Sequence, residues 1–155
     1  MDSREIQRIV REVVESVLGG AAGCAEKERG KNPGGRAEGG DRGVFLIKGV
    51  EMSLKQFDLV PGVNARLVDF VNSSHGCSMA IGLMELRECT FDWTLNYEEV
   101  DYVLDGTLDI IVGDRTYRAF SGDAIFIPKG TSIKFSTPDR ALFLYTTYPA
   151  DWANQ

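Results

Sequence analysis

The pattern of apolar and polar residues divides the chain into a helical start, an unpatterned middle and a long β-type remainder. In residues 1–18 the apolar side chains recur at helical spacing, and charged side chains fill the opposite face. This spacing predicts an amphipathic helix, which Gly19 and Gly20 end. Its apolar positions are Ile6, Ile9, Val10, Val13, Val14, Val17 and Leu18.

Residues 19–43 show no such pattern. Nine of the 17 glycines of the chain lie here, mixed with charged residues and almost nothing to bury, which predicts a flexible linker. The helix at 1–18 can pack on its own domain, pair with a second copy or dock on another protein. A linker of roughly 25 residues is longer than ordinary loops. This length favours a docking helix.

Residues 44–155 alternate between apolar and polar positions, with turn residues at close intervals. This succession of short strands predicts one all-β domain, a sandwich or barrel, without a long helix. Gly82 is a candidate β-bulge within one strand. The predicted strands cover residues 44–47, 53–60, 65–71, 79–86, 89–95, 99–104, 108–112, 115–120, 124–127, 133–135 and 141–148.

Composition narrows the choice of partners. Apolar residues make up 43% of the chain and the formal net charge is -6. An acidic chain is a poor partner for nucleic acid or an anionic membrane, because both need a basic face. Cys24, Cys77 and Cys89 are too few and too scattered for a disulfide framework. No apolar run approaches the roughly 20 residues of a membrane span, and we expect an intracellular protein.

Two spaced motifs resemble those of the cupin family, a jelly-roll β-barrel. Gly106 follows Glu99 by seven positions, and Gly122 precedes Pro128 by six, with Gly130 just after the proline. Glycine and proline at these positions form the corners of hairpins. The resemblance implies a cupin barrel.

The metal ligands of that family are mostly missing here. Its two first-motif histidines fall on Trp93 and Leu95, and the histidine of its second motif falls on Ile133, whereas Glu99 is retained. An indole and two alkyl groups do not bind metal, and one carboxylate does not hold a transition metal alone. The only histidine, His75, lies ahead of both motifs. We therefore expect no tightly bound transition metal.

The residues 93–106, 127–130 and 145–152 together resemble the EutQ family of ethanolamine-utilisation proteins. This resemblance implies acetate kinase activity with Mg-ATP as cosubstrate, and a cytoplasmic protein associated with a bacterial microcompartment. Residues 1–18 resemble the short helices that deliver proteins to a microcompartment shell. Pairing of cupin barrels in other members implies a homodimer.

The residues themselves favour a small site around Glu99. Strand alternation places Asp101 on the same face, and Tyr97 lies two positions before Glu99. Two carboxylates in a partly apolar cavity repel each other, so one has a raised pKa and can serve as a general acid or base, or hold Mg²⁺ with substrate phosphates. The alternative is a remnant Glu99 that bonds to Tyr97 without catalysis.

Four further residues are predicted to bind the substrate around these three. Trp93, Leu95 and Ile133 replace metal ligands at the centre of the barrel, and Phe135 shares the face of Ile133. Trp93 can seal the cavity or present its ring to a small ligand. Packing of the barrel core is the alternative for all four.

A nucleotide site is not evident in the sequence. There is no glycine-rich phosphate loop ending in Gly-Lys-Ser/Thr. The basic residues near the second motif are predicted to be exposed, with Lys134 pointing out of the barrel. They are Arg115, Arg118, Lys129, Lys134 and Arg140. A non-catalytic binding or scaffold module in microcompartment assembly therefore stands beside the kinase interpretation.

Overall fold

The computed structural model describes Glu38–Gly39 and residues 44–154. The helix predicted over residues 1–18 lies outside these residues, as does most of the linker predicted over residues 19–43. Within that linker the two described residues form strand β1, Glu38–Gly39, which pairs antiparallel with β2, Phe45–Leu46.

The remaining strands form one antiparallel sheet with the order β3-β4-β5-β9-β6-β7, and β8 pairs with β6. Among the described residues, no helix is long and apolar enough to cross a membrane. Short 3-10 turns lie at Gly49–Glu51, Ser73–His75 and Trp152–Asn154. The strands are β3 Lys55–Gln56, β4 Ala65–Val71, β5 Ala80–Leu95, β6 Glu98–Val112, β7 Arg115–Phe120, β8 Ala124–Ile127 and β9 Thr131–Tyr148.

Three strands are longer than the sequence predicted, because bends replace the expected breaks. The predicted strands at 79–86 and 89–95 are joined in β5, where the pairing register shifts between Arg87 and Cys89. Glu88 between them has a φ of 42°, a local kink that bends a strand without ending it. The strands β6 and β9 likewise each unite two predicted strands.

Gly106 has a backbone geometry that requires glycine. It lies within β6 with a φ of 81°, and a Cβ atom there would lie 1.9 Å from the carbonyl oxygen of Arg140. No other residue fits so close to a neighbouring backbone. Gly106 therefore lies within a strand, not at the predicted hairpin corner, and its missing side chain lets β6 approach the backbone of β9 closely.

Gly82 serves a different purpose from the predicted bulge. The register shift lies in the facing strand β4, between Asp69 and Val71. A Cβ atom on Gly82 would lie 2.3 Å from the hydroxyl oxygen of Tyr145, so its missing side chain leaves room for that ring.

The core of the barrel lies around Tyr145 and contains further buried side chains from several strands, the largest being Phe143, Leu86, Leu95, Leu108 and Ile110.

Candidate functional site

The barrel interior contains a small cavity with mostly aromatic walls. Its volume is about 30 Å³, which is small for a ligand pocket. A ligand inside it can have only a few non-hydrogen atoms, so a nucleotide does not fit. The lining residues are Phe57, Leu67, Met84, Phe91, Trp93, Tyr97, Glu99, Phe135, Phe143, Tyr145 and Trp152.

A chain of hydrogen bonds leads from the wall of this cavity to Glu99. The indole nitrogen Nε1 of Trp93 donates to the hydroxyl oxygen of Tyr97 over 2.7 Å. Tyr97 in turn hydrogen-bonds to Glu99, and burial together with the negative charge of Glu99 raises the pKa of the Tyr97 hydroxyl. Tyr97 therefore remains a hydrogen-bond donor throughout the physiological pH range.

Glu99 and Asp101 form a buried pair, because residues two apart on β6 project to the same side. Burial raises the pKa of Glu99 to about 7, although the neighbouring Asp101 and the hydrogen bond from Tyr97 act in the opposite direction. Burial and the charge of Glu99 raise the pKa of Asp101 well above its ordinary value. Neither carboxyl oxygen of Asp101 has a hydrogen-bond partner among the described residues. The pair therefore retains at least one proton near neutral pH.

A larger groove adjoins the cavity through Leu67, which lines both recesses. Its volume is about 660 Å³. The Tyr145 hydroxyl, in the cavity wall, donates a hydrogen bond to Asp69, in the groove wall. The groove is also lined by Glu51, Met52, Ser53, Lys55, Gln56, Val68 and Asn72.

The structure brings together most of the predicted site residues, but not all of them. Trp93, Tyr97, Glu99 and Phe135 line the cavity, and Asp101 lies behind Glu99.

Leu95 and Ile133 were predicted to bind the substrate, but neither residue lines the cavity. Leu95 is fully buried in the hydrophobic core, and Ile133 is buried opposite Trp93 in the β5–β9 pairing. The larger rings of Trp93 and Phe135 form the wall instead.

Trp152 is one of the cavity residues that the sequence did not predict. Its ring centroid lies 6.4 Å from that of Trp93, 5.9 Å from that of Tyr97 and 6.1 Å from that of Tyr145. An aromatic residue just after the last apolar strand was the available signal, but the alternation of a strand does not predict where the following turn packs. Both tryptophans of the chain line the cavity.

The described residues do not fit a metal held by the protein. They contain no group of three or more histidine, cysteine, aspartate or glutamate side chains placed to hold an ion. His75 is exposed and stacks on Phe45 at 5.7 Å between ring centroids.

Several basic side chains near the second motif are paired with carboxylates. Arg118 makes two hydrogen bonds to the buried Asp109, at 2.8 and 2.7 Å. Lys134 points out of the barrel, as predicted, and bonds to Asp92 over 2.7 Å. Arg140 contacts the buried Glu85. These contacts place Arg118, Lys134 and Arg140 in ion pairs instead of a phosphate site.

Known proteins resemble this chain in both sequence and fold. The profile of a family described as "Ethanolamine utilisation protein EutQ" matches residues 1–154. A Clostridioides difficile protein named "Acetate kinase EutQ" is 40% identical over 159 aligned residues, spanning 100% of this chain and 96% of that protein. The protein of that name from Salmonella typhimurium is 42% identical, and the alignment covers 73% of this chain but only 49% of the relative.

Solved structures agree with this result. The Clostridium difficile EutQ structure matches with a TM-score of 0.70 and 44% identity, covering 77% of this chain and 90% of that one. An RmlC-like cupin from Shewanella frigidimarina matches with a TM-score of 0.55 at 14% identity, covering 69% of this chain and 92% of that one. The latter likeness concerns the fold alone, and it confirms the predicted cupin barrel.

The carboxyl pair makes stability depend on pH in a defined direction. Between the ordinary glutamate pKa of 4.5 and the folded value of about 7 for Glu99, the folded chain binds more protons than the unfolded chain. Folding free energy is therefore lost as pH rises through this range, by about 3 kcal/mol from Glu99. We expect Glu99→Gln/Asp101→Asn to remove this loss, so that the variant gains stability relative to the wild type between pH 5 and pH 8.

Urea denaturation at several pH values measures this difference. Glu98→Gln is the matched control, since Glu98 is exposed on the same strand and its pH curve should follow the wild type. Parallel curves for the wild type and the double variant would contradict the assignment.

Proposed function

The chain belongs to the EutQ family of ethanolamine utilisation proteins, and we propose that its barrel transfers a phosphoryl group between ATP and acetate. The names of its relatives suggest this reaction. The observation in the structure that supports it is the cavity beside Glu99, whose volume of about 30 Å³ suits a substrate of very few atoms.

Acetate fits this cavity when the carboxyl pair holds its protons. Its carboxylate would accept a hydrogen bond from Glu99, while its methyl group would contact rings such as Trp93 and Phe135. An ionised pair would repel the anion, and the burial that raises the pKa of both carboxyls keeps Glu99 mostly protonated below about pH 7. In this arrangement Glu99 and Tyr97 touch the substrate, and Asp101 acts through Glu99.

The nucleotide would bind in the adjoining groove, which is large enough for it. An acetate oxygen attacks the γ-phosphorus, a new C–O–P linkage forms, and the bond from the γ-phosphorus to the β,γ-bridging oxygen breaks to release ADP. No proton is required in this exchange. Phosphoryl transfer depends on positioning and charge neutralisation, and Lys55 supplies a cation to the groove. Mg²⁺ would enter on the phosphates of ATP.

Glu99→Met should lower kcat/KM for acetate in an ATP-dependent phosphotransfer assay. Methionine has a similar length but no donor, so the variant loses a hydrogen bond to the charged acetate worth about 1.5–3 kcal/mol, which corresponds to a decrease of roughly 10- to 100-fold. For the wild type, kcat/KM for acetate should also fall as pH rises above about 7, the pKa of Glu99. Equal turnover by the wild type and Glu99→Met, with Glu98→Met as the control, would exclude this site.

A second candidate function is a non-catalytic scaffold module in a bacterial microcompartment. The amphipathic pattern of residues 1–18 and the glycine-rich composition of residues 19–43 favour it. In this proposal residues 1–18 bind a shell or enzyme protein, and the protein is cytoplasmic and associated with the microcompartment.

Deleting residues 1–43 separates this role from catalysis. We expect the deletion to abolish association with microcompartments in cell fractionation and to leave phosphotransfer by the barrel unchanged. Association that persists after the deletion would refute the docking role.

A second copy of the chain is the partner proposed for the outer face of the barrel. Val100 and Phe126 lie side by side where β6 pairs with β8, and they are 41% and 60% exposed. Tyr102, one alternation further along β6, is also exposed. A contiguous apolar patch of this kind is typical of a protein interface.

Phe126→Asp tests this proposed homodimer. A charge at the centre of the apolar patch should convert a dimer into a monomer in light scattering after size-exclusion chromatography. Leu59→Asp is the control, because Leu59 is 53% exposed in the loop between β3 and β4 and should leave the mass unchanged. A dimer that survives Phe126→Asp would place the interface elsewhere.

A further inference from the structure

The cavity beside Glu99 combines two features that attract a positive charge. Its polar side is an acidic pair, and most of its wall consists of aromatic rings. The faces of aromatic rings have a negative electrostatic potential, which stabilises a cation and disfavours an anion. Acetate occupies such a cavity only while the pair is protonated, so the ionised pair is left without a ligand.

The negative charge of the pair has no cationic partner among the described residues. The interactions that shift the pKa of Glu99 come from burial, Asp101 and Tyr97, and those for Asp101 come from burial and Glu99. The neighbouring strand positions are neutral, with Ile127 and Thr147 beside Glu99.

The other groups around the pair are also neutral or negative. On β9, Tyr145 lies beside Asp101 and donates to Asp69, the next carboxylate. Trp152 from the last 3-10 turn contacts Tyr97 and Tyr145.

Buried polar atoms without hydrogen-bond partners lie at the carboxyl pair. Both carboxyl oxygens of Asp101 and the hydroxyl oxygen of Thr147 are buried without a hydrogen-bond partner among the described residues. Asp101 is 0% exposed. A buried acceptor without a donor destabilises the fold by about 1–3 kcal/mol. A ligand that donates hydrogen bonds to Glu99 would place a positive charge beside this cluster of buried oxygen atoms.

The aromatic wall surrounds the position that such a ligand would occupy. Trp93 makes edge contacts with Phe57 at 5.5 Å and with Trp152 at 6.4 Å between ring centroids. Tyr97 and Tyr145 add rings at 5.9 and 6.1 Å from Trp152. Rings packed at several angles around a carboxylate are typical of sites for organic ammonium groups.

The type of cation follows from the donors and the volume. A calcium or magnesium ion needs six or more oxygen ligands, and the described residues offer no such cluster. An alkylammonium ion needs only acceptors for its N–H groups and an apolar wall for its carbon atoms. We propose that this cavity binds a short primary ammonium cation, whose N–H groups donate to Glu99 and whose alkyl part lies against Trp93 and Trp152.

An ammonium site is a binding function in addition to the proposed phosphoryl transfer, and it predicts how amines would affect acetate binding. Acetate requires the protonated pair, whereas the ammonium ion requires the ionised pair. The two ligands therefore exclude each other from one cavity, and their affinities change with pH in opposite directions.

Intrinsic fluorescence tests the proposal directly, because both tryptophans of the chain line the cavity. The full chain is titrated at pH 8 with ethylammonium and ethanolammonium chloride, at ionic strength held constant with sodium chloride. We expect a saturable change for each amine. Tetramethylammonium is too large for the cavity and offers no N–H group, so it should give none.

Variants identify the site. The apparent affinity for the amines should fall at least tenfold in Glu99→Gln/Asp101→Asn and stay unchanged in Glu98→Gln. Should the double variant fail to fold, Glu99→Gln alone and the pH dependence of the wild type serve instead. Affinity should weaken from pH 8 to pH 6 as the pair gains protons, although the amine stays charged. Binding that is unaffected by both the variants and pH, or a response equal to that of sodium chloride, would overturn the proposal.

Phosphotransfer assays distinguish this proposal from the kinase. If amines bind as described but no phosphoryl transfer occurs, the ammonium site stands and the kinase proposal fails. If transfer from ATP to acetate occurs and neither amine competes with acetate at pH 8, the ammonium site fails and the kinase proposal stands.

Discussion

The burial of Glu99 beside Asp101 is the constraint on which the chemistry of this barrel depends. Two carboxyl groups on one side of a strand, with no cation nearby among the described residues, remain in a folded interior only by sharing protons or by binding a ligand. The aromatic side chains around them exclude water and so maintain the raised pKa. Trp93 and Tyr97 add a fixed donor to Glu99. The pair is thus a feature that folding alone would disfavour.

This chain has the cupin barrel fold, and aromatic side chains line the cavity at its centre. Of the three residues that the resemblance aligns with metal ligands, Trp93, Leu95 and Ile133, only Trp93 reaches the cavity. Glu99 has Asp101 as its neighbour on the same side of β6. The cavity is small because aromatic rings fill the space around Glu99. A site of this kind recognises its ligand by size and charge.

Much of the barrel could be predicted from the sequence, because strand alternation and corner glycines are local signals. The spacing from Glu99 to Gly106 resembled a cupin motif and so indicated the barrel, but Gly106 lies within β6 instead of at a hairpin corner. The bends within β5, β6 and β9 could not be predicted, since a bulge and a turn use similar residues and differ only in what pairs beyond them.

The candidate site likewise contains some residues that local sequence predicts and others that depend on packing. Tyr97, Glu99 and Asp101 were predicted to lie together because they are close on one strand and the hairpin before it, and the structure places them so. Leu95 and Ile133 were assigned by analogy with metal ligands, yet whether an inward side chain reaches a cavity depends on the sizes of its neighbours. Trp152 depends on how the last turn folds back over the barrel, which no local pattern records. Because Trp152 lines the cavity from a short 3-10 turn, a substitution within Trp152–Asn154 would reshape the ligand site without touching Glu99, so recombinant protein for ligand work should keep this turn intact.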